Sequence, residues 1–191
     1  MQNPASYPVP PRRSGLPTWV WVLIACGSGC GCLGFIAIFA AILFPVFAQA
    51  RMKAREVSCM SNVKQMDLAV AMYMQDHNEV MPASRGWMDT LQPYLAGAQK
   101  GSASPDMSVF HCPAVPAGDY GYAYNSQLSR KSLADINDPR QAIELYDSSD
   151  LTRSASDPVT SLPSPPRHLH NIIGYVDGHA QADAASPNGT Q

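Results

Sequence analysis

The stretch RHLHNIIGYVDGHAQ, residues 167–181, gathers three of the chain's five histidines around an aspartate. Written as extended chain, His168 and His170 share one face, as do Asp177 and His179. Imidazole and carboxylate in such a group suit zinc or a similar ion. A hairpin turn accounts fully for Asp177-Gly178, and histidines flanking a turn are commonly solvated, so the sequence assigns no metal to these four residues. Asp147 and Asp150 lack calcium-ligand spacing. No cofactor is expected. His111 beside Cys112 is the one nucleophile-like neighbour pair, and adjacent strand residues point to opposite faces. With no glycine-rich phosphate loop, no His-x-x-x-His and no nucleophile elbow, the chain is not expected to be an enzyme.

Cysteine is the other reactive type. Cys26, Cys30 and Cys32 lie in an apolar run among Gly27, Gly29, Gly31 and Gly34. There they either let two membrane helices approach closely or simply face lipid. Cys59 and Cys112 lie outside that run and make an even pair. In an oxidising compartment they are the candidate disulfide, which would close a long loop and contribute about 2–4 kcal/mol. Two buried thiols remain the alternative, because spacing does not prove connectivity.

The elements that must position these residues follow from hydropathy. Between Ser14 and Ala50 no residue is charged, and Trp19–Phe47 is almost continuously apolar. A membrane span needs about 20 such residues. Residues 19–50 therefore read as a transmembrane helix, with Trp19 and Trp21 in the aromatic belt of one interface. Residues 1–18, with five prolines, read as a disordered tail, and 186–191 as another. Residues 51–80 continue the helix amphipathically. Cys59, Val63, Met66, Val70, Tyr73 and His77 form its apolar stripe, while Arg55, Glu56, Lys64, Asp67 and Asp76 mostly lie off it. Pro45 removes one helical hydrogen bond and is expected to kink the helix where it leaves the hydrocarbon.

Residues 81–185 then read as a β-rich head. GWMDTLQPYLAG (86–97) is a short helix whose Trp87, Leu91, Tyr94 and Leu95 cover the long one, and 99–108 is a loop. VFHCPAV is expected as a short strand carrying Cys112 toward the helix. YGYAYNS and QAIELYDSS are further strands, and 154–166 is a flexible loop. NIIGYVDGHAQAD forms a hairpin around Asp177 and Gly178, with positive φ expected at both. The expected fold class is α+β, one long helix packed on a small antiparallel sheet. Net charge is −2, and the acids lead from Met81 onward. No basic stripe for nucleic acid is present, so none is expected as a partner.

With AAILFPVFAQARMKAR, SCMSNVKQMDLAVAMYMQDHNEVMP, LQPYL, FHCP, SLADINDPRQAI and RHLHNIIGYVDGHAQ, the chain resembles type IV pilin-like proteins and type II secretion pseudopilins. More narrowly, it is similar to bacterial proteins joining a prepilin-type N-terminal helix to a head that ends in His, several residues, then Asp-Gly. The resemblance implies a helix that is half anchor and half spine, with Pro45 as the kink proline. It also implies partners in the lipid bilayer and in further pilin-like subunits or copies of itself. Two departures stand out. Seventeen residues before Pro45 the family carries a glutamate and this chain Ser28; Leu23 and Ile24 occupy the cleavage position, so the prepilin peptidase signal is absent. Eight residues separate His168 from Asp177, about one fewer than the family's spacing.

Arg12 and Arg13 precede the apolar run, while Arg51, Lys53 and Arg55 follow it, a tally that alone favours a cytoplasmic head. The resemblance and the pairable cysteines point the other way. The expected placement is a single pass in the inner membrane, N-terminus cytoplasmic and head extracytoplasmic. The expected function is a pilin-like structural protein of the bacterial cell envelope, associated with a type IV pilus or type II secretion machinery. The alternatives are a non-assembling anchored binding module, favoured by Ser28, and a lipoprotein modified at Cys26 through LIAC.

Overall fold

The computed structural model describes residues 17–98 and 107–183, without the side chains of 22–37 and 96–98. The expected tails and most of the 99–108 loop lie outside the described residues. The helix α1 (Thr18–Asp76) runs unbroken through Pro45. By contacts the chain divides between Phe47 and Ala48. In the first unit Ile38, Phe39, Ile42, Leu43, Phe44, Val46 and Phe47 are all exposed, with Trp19 and Trp21. Among the described residues no helix is long and apolar enough to cross a membrane. The centre of the expected span, together with Cys26, Cys30 and Cys32, falls on side chains outside the description.

The second unit is built on the rear of α1. Cys59, Val63, Met66, Ala69 and Val70 are buried along one face. Tyr73 is half-buried, and His77 is exposed but stacks on it at 3.8 Å. The expected stripe needs one correction. Glu56 and Asp67 also lie on the buried face, at 1% and 2% exposure. They fall three residues before Cys59 and four after Val63, steps that keep one helix face as well as apolar ones do. The helix ends as Asn78 and Glu79 take left-handed φ of 53° and 59°. The Glu79 N–H then donates to the Met74 carbonyl at 2.9 Å, satisfying an acceptor of the last turn.

Helix α2 (Trp87–Ala98) lays Trp87, Met88, Leu91 and Leu95 into the same core. The Trp87 indole N–H donates to the Ala155 carbonyl at 3.0 Å, and Tyr94 packs edge-on against Tyr73. The sheet comprises β1 (Tyr122–Asn125), β2 (Ile143–Asp147), β3 (Ser156–Asp157), β4 (Asn171–Tyr175) and β5 (Ala180–Asp183), in the order β3-β1-β2-β4-β5. The expected antiparallel sheet is in fact mixed, because two residues of the expected 154–166 loop pair in parallel with β1 as an edge strand.

Two further expectations are corrected. VFHCPAV forms no strand; Met107–Phe110 is a 3-10 turn, and Cys112 follows it in irregular chain, its N–H held by the Tyr120 carbonyl at 2.9 Å. Pro113, which cannot donate to a ladder, fits that local shape. In the β4–β5 hairpin only Gly178 has positive φ, +86°. The Gly178 N–H donates to Tyr175 and the Tyr175 N–H to His179, so a four-residue turn ends in a left-handed glycine before pairing resumes.

Alternation along the strands splits the sheet into two faces. Tyr122, Tyr124, Leu145 and Ile172 join the core beneath α1, while Ala123, Tyr146, Ile173 and Tyr175 pack on the other side with Ala155, Val159 and Leu162. A register slip in β2 between Ile143 and Leu145 accompanies the burial of Glu144 to 1% exposure. Gly174 lets α1 come close. A Cβ there would stand 2.6 Å from both Asp67 carboxylate oxygens and 2.7 Å from Val63.

Candidate functional site

Under the helix, three elements converge on one enclosed point. Cys59 comes from α1, Cys112 from the chain after the 3-10 turn, and His168 from the segment leading into β4. Their ligating atoms lie within 4.8 Å of one another. His168 Nε2 is 3.2 Å from Cys112 Sγ and 3.1 Å from Cys59 Sγ. On the other side of the ring, His168 Nδ1 faces Asp147 Oδ2 at 3.5 Å. Asp147, at the end of β2, is completely buried, and its Oδ2 also accepts the Ile172 N–H at 2.8 Å. The Tyr122 hydroxyl hydrogen-bonds Cys59 and accepts from the Asn62 amide at 3.3 Å.

The electrostatics follow from this packing. The hydrogen bond from Cys59, helped by His168 and opposed by burial, draws the Cys112 thiol down to about 4. Cys59 is pushed up by Cys112 and by burial, so it stays a thiol. Burial pulls His168 down, but Asp147 and Cys112 together outweigh it and hold the imidazole at about 9. The cluster is a thiolate and an imidazolium, with a second thiol donating to the thiolate and a carboxylate behind the ring. Burial raises Asp147, against the opposing pull of His168. Chemically such a group can close a disulfide, hold a thiolate-seeking metal, or present a nucleophile. The sulfurs are 0% and 2% exposed at the residue level, so they do not face solvent.

The two cysteines of the candidate disulfide are thus brought together, and both are free in this structure. The histidine nitrogen shared between the sulfurs accounts for the arrangement. The four histidine and aspartate candidates to which the sequence assigns no metal, His168, His170, Asp177 and His179, do not gather in one place. His170 turns to the buried Glu56, its Nδ1 3.2 Å from Oε2, and Lys53 also pairs with Glu56. His179 contacts Asp177 within the hairpin and stacks on Tyr175 at 4.3 Å. Among the described residues, Cys59, Cys112 and His168 alone form a group with metal-ligand geometry. His111, next to Cys112, spends its Nδ1 on the Asp119 carbonyl at 2.7 Å. Sequence reasoning missed that His168 and Asp147 belong with the cysteines. His168 precedes β4 and Asp147 ends β2, strands that become neighbours only in the folded sheet, so no local signal joins them.

A second buried group lies further along α1. Neither oxygen of Asp67 has a hydrogen-bond partner among the described residues, nor do Glu144 Oε1 or the Tyr124 hydroxyl. Burial, then the charge of Asp177, pushes Asp67 up to about 8 against the pull of Lys64. Glu144 is raised further by burial and by Asp67. Asp67 is thereby held as a neutral acid at neutral pH, and Glu144 is shifted in the same direction.

A family described as a protein of unknown function (DUF1559) matches residues 48–93, the rear of α1 and the first part of α2. That segment contains Cys59 and Asp67 but not Cys112 or His168. No curated protein and no solved structure matches the chain.

Proposed function

We propose that this chain is a membrane-anchored, pilin-like structural protein of a bacterial cell envelope, associated with a type IV pilus or type II secretion machinery, and not an enzyme. One observation carries the reading. A single helix, α1, begins in the uncharged apolar run and ends as the spine against which the five-stranded sheet is packed. The row of exposed large apolar side chains from Ile38 to Phe47 supports the anchor, since such a row is costly in water and favourable in lipid. The family match over residues 48–93 is compatible with a pilin-like envelope protein. The head lies outside the cytoplasm on this reading, and the N-terminus inside. Lipid and further pilin-like subunits are its partners.

Ser28 favours a second reading, in which the chain keeps the anchor and head but does not assemble. In the resembled family a glutamate at that position neutralises a neighbour's terminal amine in lipid. Fractionation followed by crosslinking in intact cells separates the readings. A membrane-bound protein giving a ladder of oligomers supports assembly; a membrane-bound monomer supports the binding module. Recovery of the intact chain in the soluble fraction would overturn both.

A further inference from the structure

We propose that Cys59, Cys112 and His168 form a binding site for one zinc ion, with Asp147 as the carboxylate that orients His168. The geometry carries this. His168 Nε2 is almost equidistant from the two sulfurs, at 3.1 and 3.2 Å. A single N–H can serve both only as a weaker bifurcated bond, whereas one ion capping the triangle bonds all three atoms. Zinc–sulfur and zinc–nitrogen bonds of about 2.3 and 2.0 Å in a tetrahedron place sulfur and nitrogen about 3.5 Å apart. The sulfurs therefore need to move outward by only a few tenths of an ångström. Asp147 faces Nδ1, as a carboxylate commonly does behind a zinc-bound histidine, and favours the tautomer that leaves Nε2 free to bind. The Tyr122 hydroxyl interacts with Cys59 at the edge of the cluster.

The donor set is equally favourable: two sulfurs and one imidazole nitrogen, contributed by three different segments, meet in one enclosed place. Thiolate and imidazole ligands select zinc over magnesium or calcium, and full enclosure makes the site structural. It would clamp α1 to the segments carrying Cys112 and His168. The site does not depend on where the chain is anchored or on whether it assembles.

The test uses the full chain, extracted in detergent with reductant present and freed of loose metal by gel filtration. Elemental analysis is expected to find one zinc per chain, lost in Cys59→Ser. Because that variant can fail by misfolding, the unaltered chain is also stripped and given cobalt(II). Thiolate-to-cobalt charge-transfer bands and tetrahedral d–d bands are expected. Reduced protein that retains no stoichiometric zinc and develops no such bands overturns the site. So does zinc that persists in the Cys59→Ser/Cys112→Ser double variant. A chain from cells that is lighter by two hydrogens and metal-free, its cysteines joined to each other, also overturns it.

Discussion

Cys59 and Asp67 stand about two turns apart on one face of α1, and both are buried against the sheet. Their surroundings differ sharply. Around Cys59, donors and acceptors alternate: thiol, thiolate, imidazolium and carboxylate, each within reach of an opposite. Around Asp67 stands another buried acid, Glu144, and across from it a glycine, Gly174, and neither carboxylate oxygen finds a hydrogen-bond partner among the described residues. A protein has two ways to keep ionisable groups in a low-dielectric interior. It can pair charges, as at Cys59, or abolish them by protonation, as at Asp67. The first way makes the cluster indispensable to the fold; the second makes the fold sensitive to pH.

The sharpest way to break this contrast is His168→Ala. It removes the cation between a thiolate and a buried carboxylate and leaves both without compensation. Breaking such a pair costs about 3–5 kcal/mol, read as a lower midpoint in denaturant unfolding of the detergent-solubilised chain. A loss below about 1 kcal/mol would mean that the charges there are not formed. Gly174→Ala comes next. Its methyl group would overlap Asp67 and Val63, and overpacking of this kind costs about 1–3 kcal/mol. Asp67→Ala in the same chain should recover only part of the loss, since Val63 remains in the way. Full recovery would show that the carboxylate alone fills the space above Gly174.

The third test uses pH. Asp67 ordinarily titrates at 3.8 and here at about 8, so the folded chain holds a proton that the unfolded chain has lost. That contribution is fully present below about 3.8 and disappears as pH rises through 8. Glu144 is shifted the same way. Stability should fall between pH 6.5 and 8 by about 1.4 kcal/mol per unit for each proton held. In the metal-free chain Cys112 and His168 act with opposite signs in that window. Cys112 has given up a proton that the unfolded thiol keeps until 9.0, while His168 holds one that the unfolded imidazole loses at 6.5. Asp67→Asn should therefore remove one proton's worth of slope and raise stability at pH 8. An unchanged slope would mean that Asp67 is ionised in the fold.

The sequence made the framework readable and the site only half so. The helix, α2, β1, β2 and the β4–β5 hairpin follow from periodicity and turn residues, which are local signals. The meeting of Cys59 with Cys112 follows from a stripe and an even count. The arrival of His168 between them does not, because 109 residues separate it from Cys59 and the topology that joins them is non-local. Asp67 and Glu56 are grouped in the sequence with the charges that mostly lie off the stripe, although their spacing from Val63 and Cys59 keeps them on its face. Burial of a carboxylate is invisible to hydropathy, since it depends on what lies opposite: a missing Cβ at Gly174 for Asp67, His170 and Lys53 for Glu56. The two-residue β3 pairs in parallel by accident of loop path, and no composition signals it.

The smallest effect completes the comparison by moving the same charges into water. Arg153 pairs with Asp89 at the start of α2, donates to the Tyr120 hydroxyl at 3.1 Å and lies 5.7 Å from that ring's centre. It therefore makes as many named interactions as His168, with two residues instead of three. Yet the arginine and aspartate side chains are 39% and 62% exposed, so solvent screens the pair and little desolvation is at stake when it is broken. Arg153→Ala should cost less than about 1 kcal/mol. The cost should shrink further in molar salt, whereas the His168→Ala loss should hardly respond to salt. If the two substitutions proved equally costly and equally salt-sensitive, enclosure would not be what separates the cluster beneath α1 from an ordinary surface ion pair.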